Sequence, residues 1–242
     1  MIIHSPAIVL RTVDYRESSK IVTLFTQTNG KTAVIVKGLK KSRNGFSGLL
    51  EPGNILDIVF YYKASRSVQN LTKASFRAKT FDIHLNMEKM AVSTAALEMV
   101  DQLVVEDQGH DELFFFTEKL LIWLHQTKKT LRTLFPYIQL RLAELMGIGL
   151  RYEFMDNRSV MYLNIDEGNI SALHGTGLSY RLTSGQASYI KTGLGPKNGL
   201  LTQSELTSRE LKNLIFHLDV YLKHHIEGLR DRKSDKIFHQ IL

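Results

Sequence analysis

Cysteine is absent from all 242 residues. That excludes disulfides, Cys-ligated zinc, iron–sulfur clusters and thiol nucleophiles at once. Proline is scarce, at four residues, and no low-complexity tract interrupts the chain, so neither a disordered nor a collagenous protein fits. No stretch approaches 18 uninterrupted apolar residues, and the opening MIIHSPAIVLRTVDY lacks the basic n-region, apolar core and small-residue cleavage site of a signal peptide. The expected location is the cytosol, away from any membrane. Enzyme motifs are missing as well: there is no GxGxxG, HExxH or GxSxG. Gly30-Lys31-Thr32 imitates the end of a phosphate-binding loop. However, Phe25 stands where that loop's first glycine belongs, and Lys31 opens a predicted strand instead of a helix. The chain is read as non-catalytic and without a cofactor.

What is present is the composition of a folded protein, 43% apolar and 23% charged, long enough for one large domain or two unequal ones. The net charge of +7 is unevenly spread. Residues 1–80 hold 13 Lys or Arg against 4 Asp or Glu, residues 81–160 hold 8 against 12, and residues 161–242 hold 10 against 8. The whole positive excess lies in the first third. A basic module on a nearly neutral body suits a polyanion such as nucleic acid, with a solvated basic face as the alternative.

That first third reads as strands at Ile8–Val13, Ile21–Phe25, Thr32–Val36, Ile55–Tyr61 and Val68–Phe76, rich in β-branched and aromatic residues. Asn29-Gly30 between two of them is a hairpin signal, since both residues tolerate positive φ. Five short strands suggest a small barrel of OB type, with an SH3-type barrel fitting nearly as well. From about Ala78 the apolar period becomes helical, with helices expected over 90–105, 112–127, 134–146 and 208–228. The fold class is therefore α+β: an antiparallel barrel over 1–80, then a mainly helical domain over 81–242 with an irregular insertion at about 151–203. Within that insertion Met161–Ile165 and Asn169–Leu173 could pair around Asp166-Glu167-Gly168. Thr202 and Glu205 have capping-box spacing, and Ile237, Phe238, Ile241 and Leu242 mark a short amphipathic terminal helix.

Histidines 217, 224 and 225 lie within two helical turns, but a metal would need further ligands, and partly buried polar residues are the simpler reading. The pairs Glu106/Asp107 and Asp111/Glu112 read as solvated helix ends with a favourable N-terminal charge bias. The basic segment carries more. Lys37, Lys40, Lys41 and Arg43 sit on a Gly- and Ser-containing stretch between two predicted strands, where they can follow a phosphate backbone without specifying bases. Arg11, Arg16 and Lys20 flank the first turn and Lys31 follows the next. Tyr15, Phe25, Phe46, Phe60, Tyr61 and Tyr62 are the nearby aromatics, some of which could stack on bases.

The run AIVLRTVDYRESSKIVTLFTQTNGKTAVIVKGLKKSR resembles the bacterial recombination mediator family RecO. The shared features are a strand ending in Leu-Arg, Asp14-Tyr15-Arg16-Glu17-Ser18, Ile21-Val22-Thr23-Leu24-Phe25, Gly30-Lys31 and a Val-x-Lys-Gly-x-x-Lys stretch. Weaker likeness continues through Leu97-Glu98 and Leu140–Gly147 to Gly228-Leu229-Arg230-Asp231-Arg232-Lys233. The resemblance implies an OB-fold that binds single- and double-stranded DNA, joined to a helical domain. It implies annealing of complementary strands and, with the partner RecR, help in loading RecA onto DNA coated by single-strand binding protein. It implies that the helical domain takes that coating protein's acidic, apolar C-terminal tail, and that the protein is cytoplasmic and nucleoid-associated. Arg132, Arg230 and Arg232 are the candidates for the tail, chosen for charge complementarity. Many members of the family hold zinc with four cysteines in the stretch matching Tyr152–Leu182, so a metal-free version is expected here. The rival function is an adaptor whose basic barrel receives an acidic protein.

Overall fold

Residues 1–37, 46, 48–129, 132–153, 160–196 and 205–235 are described in the computed structural model. Lys40, Lys41, Arg43, Thr202 and the terminal group Ile237, Phe238, Ile241 and Leu242 lie outside them. The chain divides into two compact units, Met1–Thr127 and Lys128–Leu242.

The first unit is built on five strands: β1 Ile2–Tyr15, β2 Ser19–Thr26, β3 Gly30–Val36, β4 Ile55–Tyr61 and β5 Gln69–Ala78. Alternation puts one side of each strand inward, and the ladder closes in the order β1-β2-β3-β5-β4, with β1 also pairing β4. β3 and β5 run parallel, Val34 opposite Gln69, while every other pair is antiparallel. This connectivity is OB-like and settles the choice between the two barrel types. Ala7, Val9, Val22, Leu24, Val34, Leu56 and Phe60 fill the interior, and Leu49 and Leu50 belong to the same buried cluster. Each of the large ones contributes about 1.5–3 kcal/mol by leaving water.

Residues facing out of a barrel are normally wet, yet Ile8, Phe25 and Ile55 are fully buried. In the ladder Ile8 lies opposite both of the others. They are covered by helices of the same unit, α1 Met87–Leu103 and α2 Asp111–Gln126, with the Phe25 ring edge-on to Phe114 at 5.3 Å. The expected boundary near residue 80 falls where the strands end, while the compact unit runs on through both helices.

The Asn29-Gly30 hairpin is closed by Thr26 opposite Gly30, which has a φ of 60°. Its tip is not free. Gly30 bridges Glu106, the Lys31 amide donates to the Val105 carbonyl at 2.9 Å, and a Cβ at Gly30 would lie 2.2 Å from the Gln108 carbonyl oxygen. Gly109 is pressed in the same way on the Gln27 carbonyl, 2.7 Å from where a Cβ would stand. Two glycines therefore let the hairpin tip and the α1–α2 connection meet backbone to backbone.

The second unit holds α3 Leu134–Leu145, then β6 Arg151–Tyr152, β7 Met161–Asn164, β8 Asn169–Ser171 and β9 Ser179–Leu182. These form a sheet in the order β6-β8-β7-β9. The hairpin expected around Asp166-Glu167-Gly168 is β7–β8, and it acquires a neighbour on each side. Next come α4 Ser184–Leu194 and α5 Ser208–His225. α4 has no counterpart in the sequence reading, because SGQASYIKTGL is poor in strong helix formers. A Thr183–Gln186 capping box and the buried Tyr189 hold it. α5 begins with a second box, Thr207–Glu210. α3 and α5 are joined by a buried polar group, in which Gln139 donates to Asp219 at 2.7 Å and Arg232 to the same carboxylate at 2.5 and 2.7 Å.

Candidate nucleic-acid interface

The ladder register brings Arg16, Lys20 and Lys37 to one end of the barrel. β1 and β2 pair as far as Tyr15 opposite Ser19, and β2 lays Lys20 opposite Val36, the neighbour of Lys37. The turn is made by Arg16 in the left-handed region, φ 55°, with its guanidinium 5.2 Å from the Tyr15 ring centre. Lys20 has Asp14 at 4.0 Å, a loose exposed pair. Arg16 and Lys37 are exposed. Lys37 opens the basic segment whose Lys40, Lys41 and Arg43 lie outside the described residues, and the chain returns at Leu49–Leu50, where Thr12 donates to the Leu50 carbonyl at 2.6 Å.

Arg11 and Lys31 are placed elsewhere. Both close on Asp101 of α1, Arg11 Nε at 3.4 Å and Lys31 Nζ at 3.3 Å, and the Lys31 ammonium also donates to the Asp101 carbonyl. Arg11 keeps most of its side chain in solvent, whereas Lys31 is three-quarters covered. Among the local aromatics, Phe25 and Phe60 are buried and Phe46 packs on the barrel core. Tyr62 donates to Asp107 at 2.9 Å, and that bond raises the phenol's pKa. Tyr15 and Tyr61 remain exposed.

The barrel also carries a groove that sequence reasoning missed. It is an open concavity of about 780 Å³ bordered by β1, β4 and β5, with His4, Asp57, Thr72, Lys73 and Arg77 at its edges. Lys73, Ser75 and Arg77 alternate along β5, a period-two signal that was legible in the sequence. Arg77 is held by Glu118 at 2.9 Å and Asp57 at 3.1 Å, and the bond to Glu118 leads the rise in its pKa.

In the second unit the three arginine candidates part company. Arg232 is buried, stacked 4.7 Å from the Phe135 ring centre and bonded to Asp219 and, at 2.8 Å, to Asp235. Burial works against its charge, and the two carboxylates outweigh it, so the pKa rises. Arg132 donates to Ser208 Oγ, and Arg230 is exposed.

The stretch matching the family's zinc-binding region does not fit a metal. It has no thiol, and among the described residues no group of three His, Asp or Glu could bind an ion. An amide takes the centre instead. Asn164 Nδ2 donates to Asn169 Oδ1 at 2.9 Å, to Leu173 O at 3.1 Å and to Ser171 Oγ at 3.2 Å. Its Oδ1 accepts from Gly175 N at 2.9 Å and Ser179 Oγ at 2.8 Å. Beside it Glu167 accepts from the Thr176 amide, which lowers its pKa, and Asp166 accepts from the Leu178 amide. These bonds tie Leu173, Gly175, Thr176 and Leu178 to Asn164, Asp166 and Glu167. The three histidines do not converge: His224 pairs with Asp166 at 3.0 Å, His225 bonds the Ile165 carbonyl at 2.8 Å, and His217 stacks on Tyr180 at 4.1 Å.

Comparison with known proteins covers both units. The family profile described as Recombination protein O N terminal matches residues 1–79, and the one described as Recombination protein O C terminal matches residues 84–235. The DNA repair protein RecO of Salinibacter ruber is 33% identical over 72% of this chain and 66% of its own length. That of Chloroherpeton thalassium is 29% identical over the full length of both, and that of Chlorobium luteolum is 34% identical over 61% of this chain and 56% of its own. With a closed OB-like barrel leading into a mainly helical region and both profiles satisfied in order, the chain belongs to the recombination protein O family.

Proposed function

We propose that this protein is a non-catalytic, DNA-binding recombination mediator. It anneals complementary single strands and, with a RecR partner, assists loading of RecA onto DNA coated by single-strand binding protein. Family membership across both units is the observation that carries the reading, and the relatives' printed role in DNA repair agrees with it. The barrel end bearing Arg16, Lys20 and Lys37, from which the chain runs on in sequence to Lys40, Lys41 and Arg43, is the surface offered to the phosphates, while Arg11 and Lys31 are engaged by Asp101. Neutralising phosphates lowers the repulsion between two strands, non-specific contacts let them search for register, and base pairing then supplies specificity. The exposed Arg230 is the arginine offered to an acidic C-terminal tail.

Fluorescence anisotropy with labelled single-stranded DNA over a salt series tests this. Each phosphate neutralised on a single strand adds about 0.7 to the logarithmic salt slope. Replacing Lys40, Lys41 and Arg43 by alanine should flatten the slope by about 2 and weaken binding for all sequences alike. Binding of an acidic peptide with no DNA binding would replace the reading with the adaptor.

A further inference from the structure

We propose that the outward face of α5 is a second nucleic-acid contact, on which bases of a single strand stack against Phe216 while Arg209 and Lys212 hold the neighbouring phosphates. The inference rests on the DNA-binding reading above and adds a second surface to it.

Helical spacing gathers Arg209, Lys212, Asn213, Phe216, Val220 and Lys223 into one stripe, opposite the buried Leu211, Leu214, Ile215, Leu218 and Leu222. Phe216 stands in the middle of that stripe and is 56% exposed, although the other face of the same helix is closed. It is not a lone ring. Tyr180 of β9 meets it edge-on at 6.1 Å, and Tyr180 is itself fixed by parallel stacking on His217, 4.1 Å away with planes 13° apart. The result is an ordered aromatic ledge on a helix.

The stripe itself carries charge of one sign. Of the acidic side chains of α5, Asp219 is turned onto Gln139 and Arg232, while Glu210 stays at the surface of the first turn, accepting from Thr183 and Thr207 about 100° round the helix from Arg209. Arg209 and Lys212 make no hydrogen bond or ion pair among the described residues, so their charge faces outward uncompensated. Lys223 pairs with Asp231 at the far end. From Arg209 to Lys223 the helix rises about 21 Å, which matches roughly six nucleotides at the stacked rise of 3.4 Å.

A projecting ring favours a base over a peptide. An exposed π-face stacks with any base at about 1–3 kcal/mol and without sequence preference, whereas the apolar anchor of a peptide needs a cavity to fill. A second neutralised surface would let a mediator hold one strand while the barrel holds the other.

The test uses the full chain, a labelled oligothymidylate and a stopped-flow annealing assay. Phe216→Ala should weaken oligothymidylate binding about fivefold with the salt slope unchanged, and Phe216→Trp should restore it while its fluorescence is quenched by the bound strand. Arg209→Glu with Lys212→Glu should lower the slope by about 1.4 and slow annealing about tenfold. All these side chains are exposed, so circular dichroism and thermal midpoint should stay at the wild-type values. If wild type binds, a Lys20→Glu, Lys37→Glu variant weakens that binding and the α5 variants change nothing, the α5 inference fails and the DNA-binding reading stands. If wild type does not bind, the DNA-binding reading itself fails. Loss of acidic-peptide binding with DNA binding intact would assign the face to a peptide and overturn the inference.

Discussion

Lys31 on β3 and Asp101 on α1 are joined twice, through the carboxylate at 3.3 Å and through the backbone carbonyl. A lysine that looks like part of a basic binding loop in the sequence is thus a tie between barrel and helix. Lys31→Ala should lower stability by about 1–2 kcal/mol and leave the DNA salt slope nearly unchanged. Urea unfolding followed by the fluorescence of Trp123 on α2, the only tryptophan, measures the first, and anisotropy the second. A slope that fell by about 0.7, the share of one phosphate, would show that Lys31 serves DNA instead.

Excising the barrel at residue 80 should fail. Such a fragment uncovers Ile8, Phe25 and Ile55 together and loses the connection against which the hairpin tip rests. A fragment of residues 1–127 should be soluble and monomeric by sedimentation, while 1–80 should aggregate. A stable monomer of 1–80 would contradict the covering role given to α1 and α2.

Asn164→Ala should free residues 172–178, because its side chain bonds Leu173 and Gly175 within that segment and Asn169, Ser171 and Ser179 beside it. Limited proteolysis should then cut within that segment at least tenfold faster, with helix content preserved. A chelator should shift the thermal midpoint of neither wild type nor variant. A chelator-sensitive midpoint would reveal a metal that the amide hub is argued to replace.

His217 provides a pH dependence with a definite sign. Burial lowers its pKa from 6.5 to about 4. The unfolded chain therefore takes up that proton first as pH falls. Its contribution to stability is complete above pH 6.5 and is lost progressively between 6.5 and about 4. His217→Phe keeps a ring against Tyr180 and cannot titrate, so its thermal midpoint should fall less over that interval than the wild type's. Parallel curves for the two proteins would remove His217 from the account.

The five barrel strands, four of the five helices among the described residues and the β7–β8 hairpin were legible because each rests on local patterning that packing did not overrule. α4 was hidden because its helix depends on a cap and on Tyr189 reaching the Thr133 carbonyl, a partner 56 residues away in sequence. Charge segregation pointed to the barrel, and the register gathered Arg16, Lys20 and Lys37. What no composition count could separate is a lysine aimed at solvent from one aimed at Asp101, or Arg230 at the surface from Arg232 inside an ion pair. Those distinctions depend on which element packs where, and the same is true of the ledge on α5, beside which Asp219 turns inward onto Arg232.

The parallel β3–β5 closure sets an order of events in synthesis. β1, β2 and β3 form a meander as soon as they emerge, but β3 keeps an open edge until Gln69–Ala78 arrives, and the Gly30 tip waits for Glu106. At 5–20 residues per second the ribosome needs roughly 2–8 s to travel from the end of β3 to the end of β5. Throughout that interval the nascent chain shows a ready template for strand pairing, with Lys31 and Lys37 as the charges at either end of it. Replacing Lys37 by an apolar residue would then cost yield at the ribosome with little change in the stability of the finished protein, whereas the same change at Lys31 would cost both.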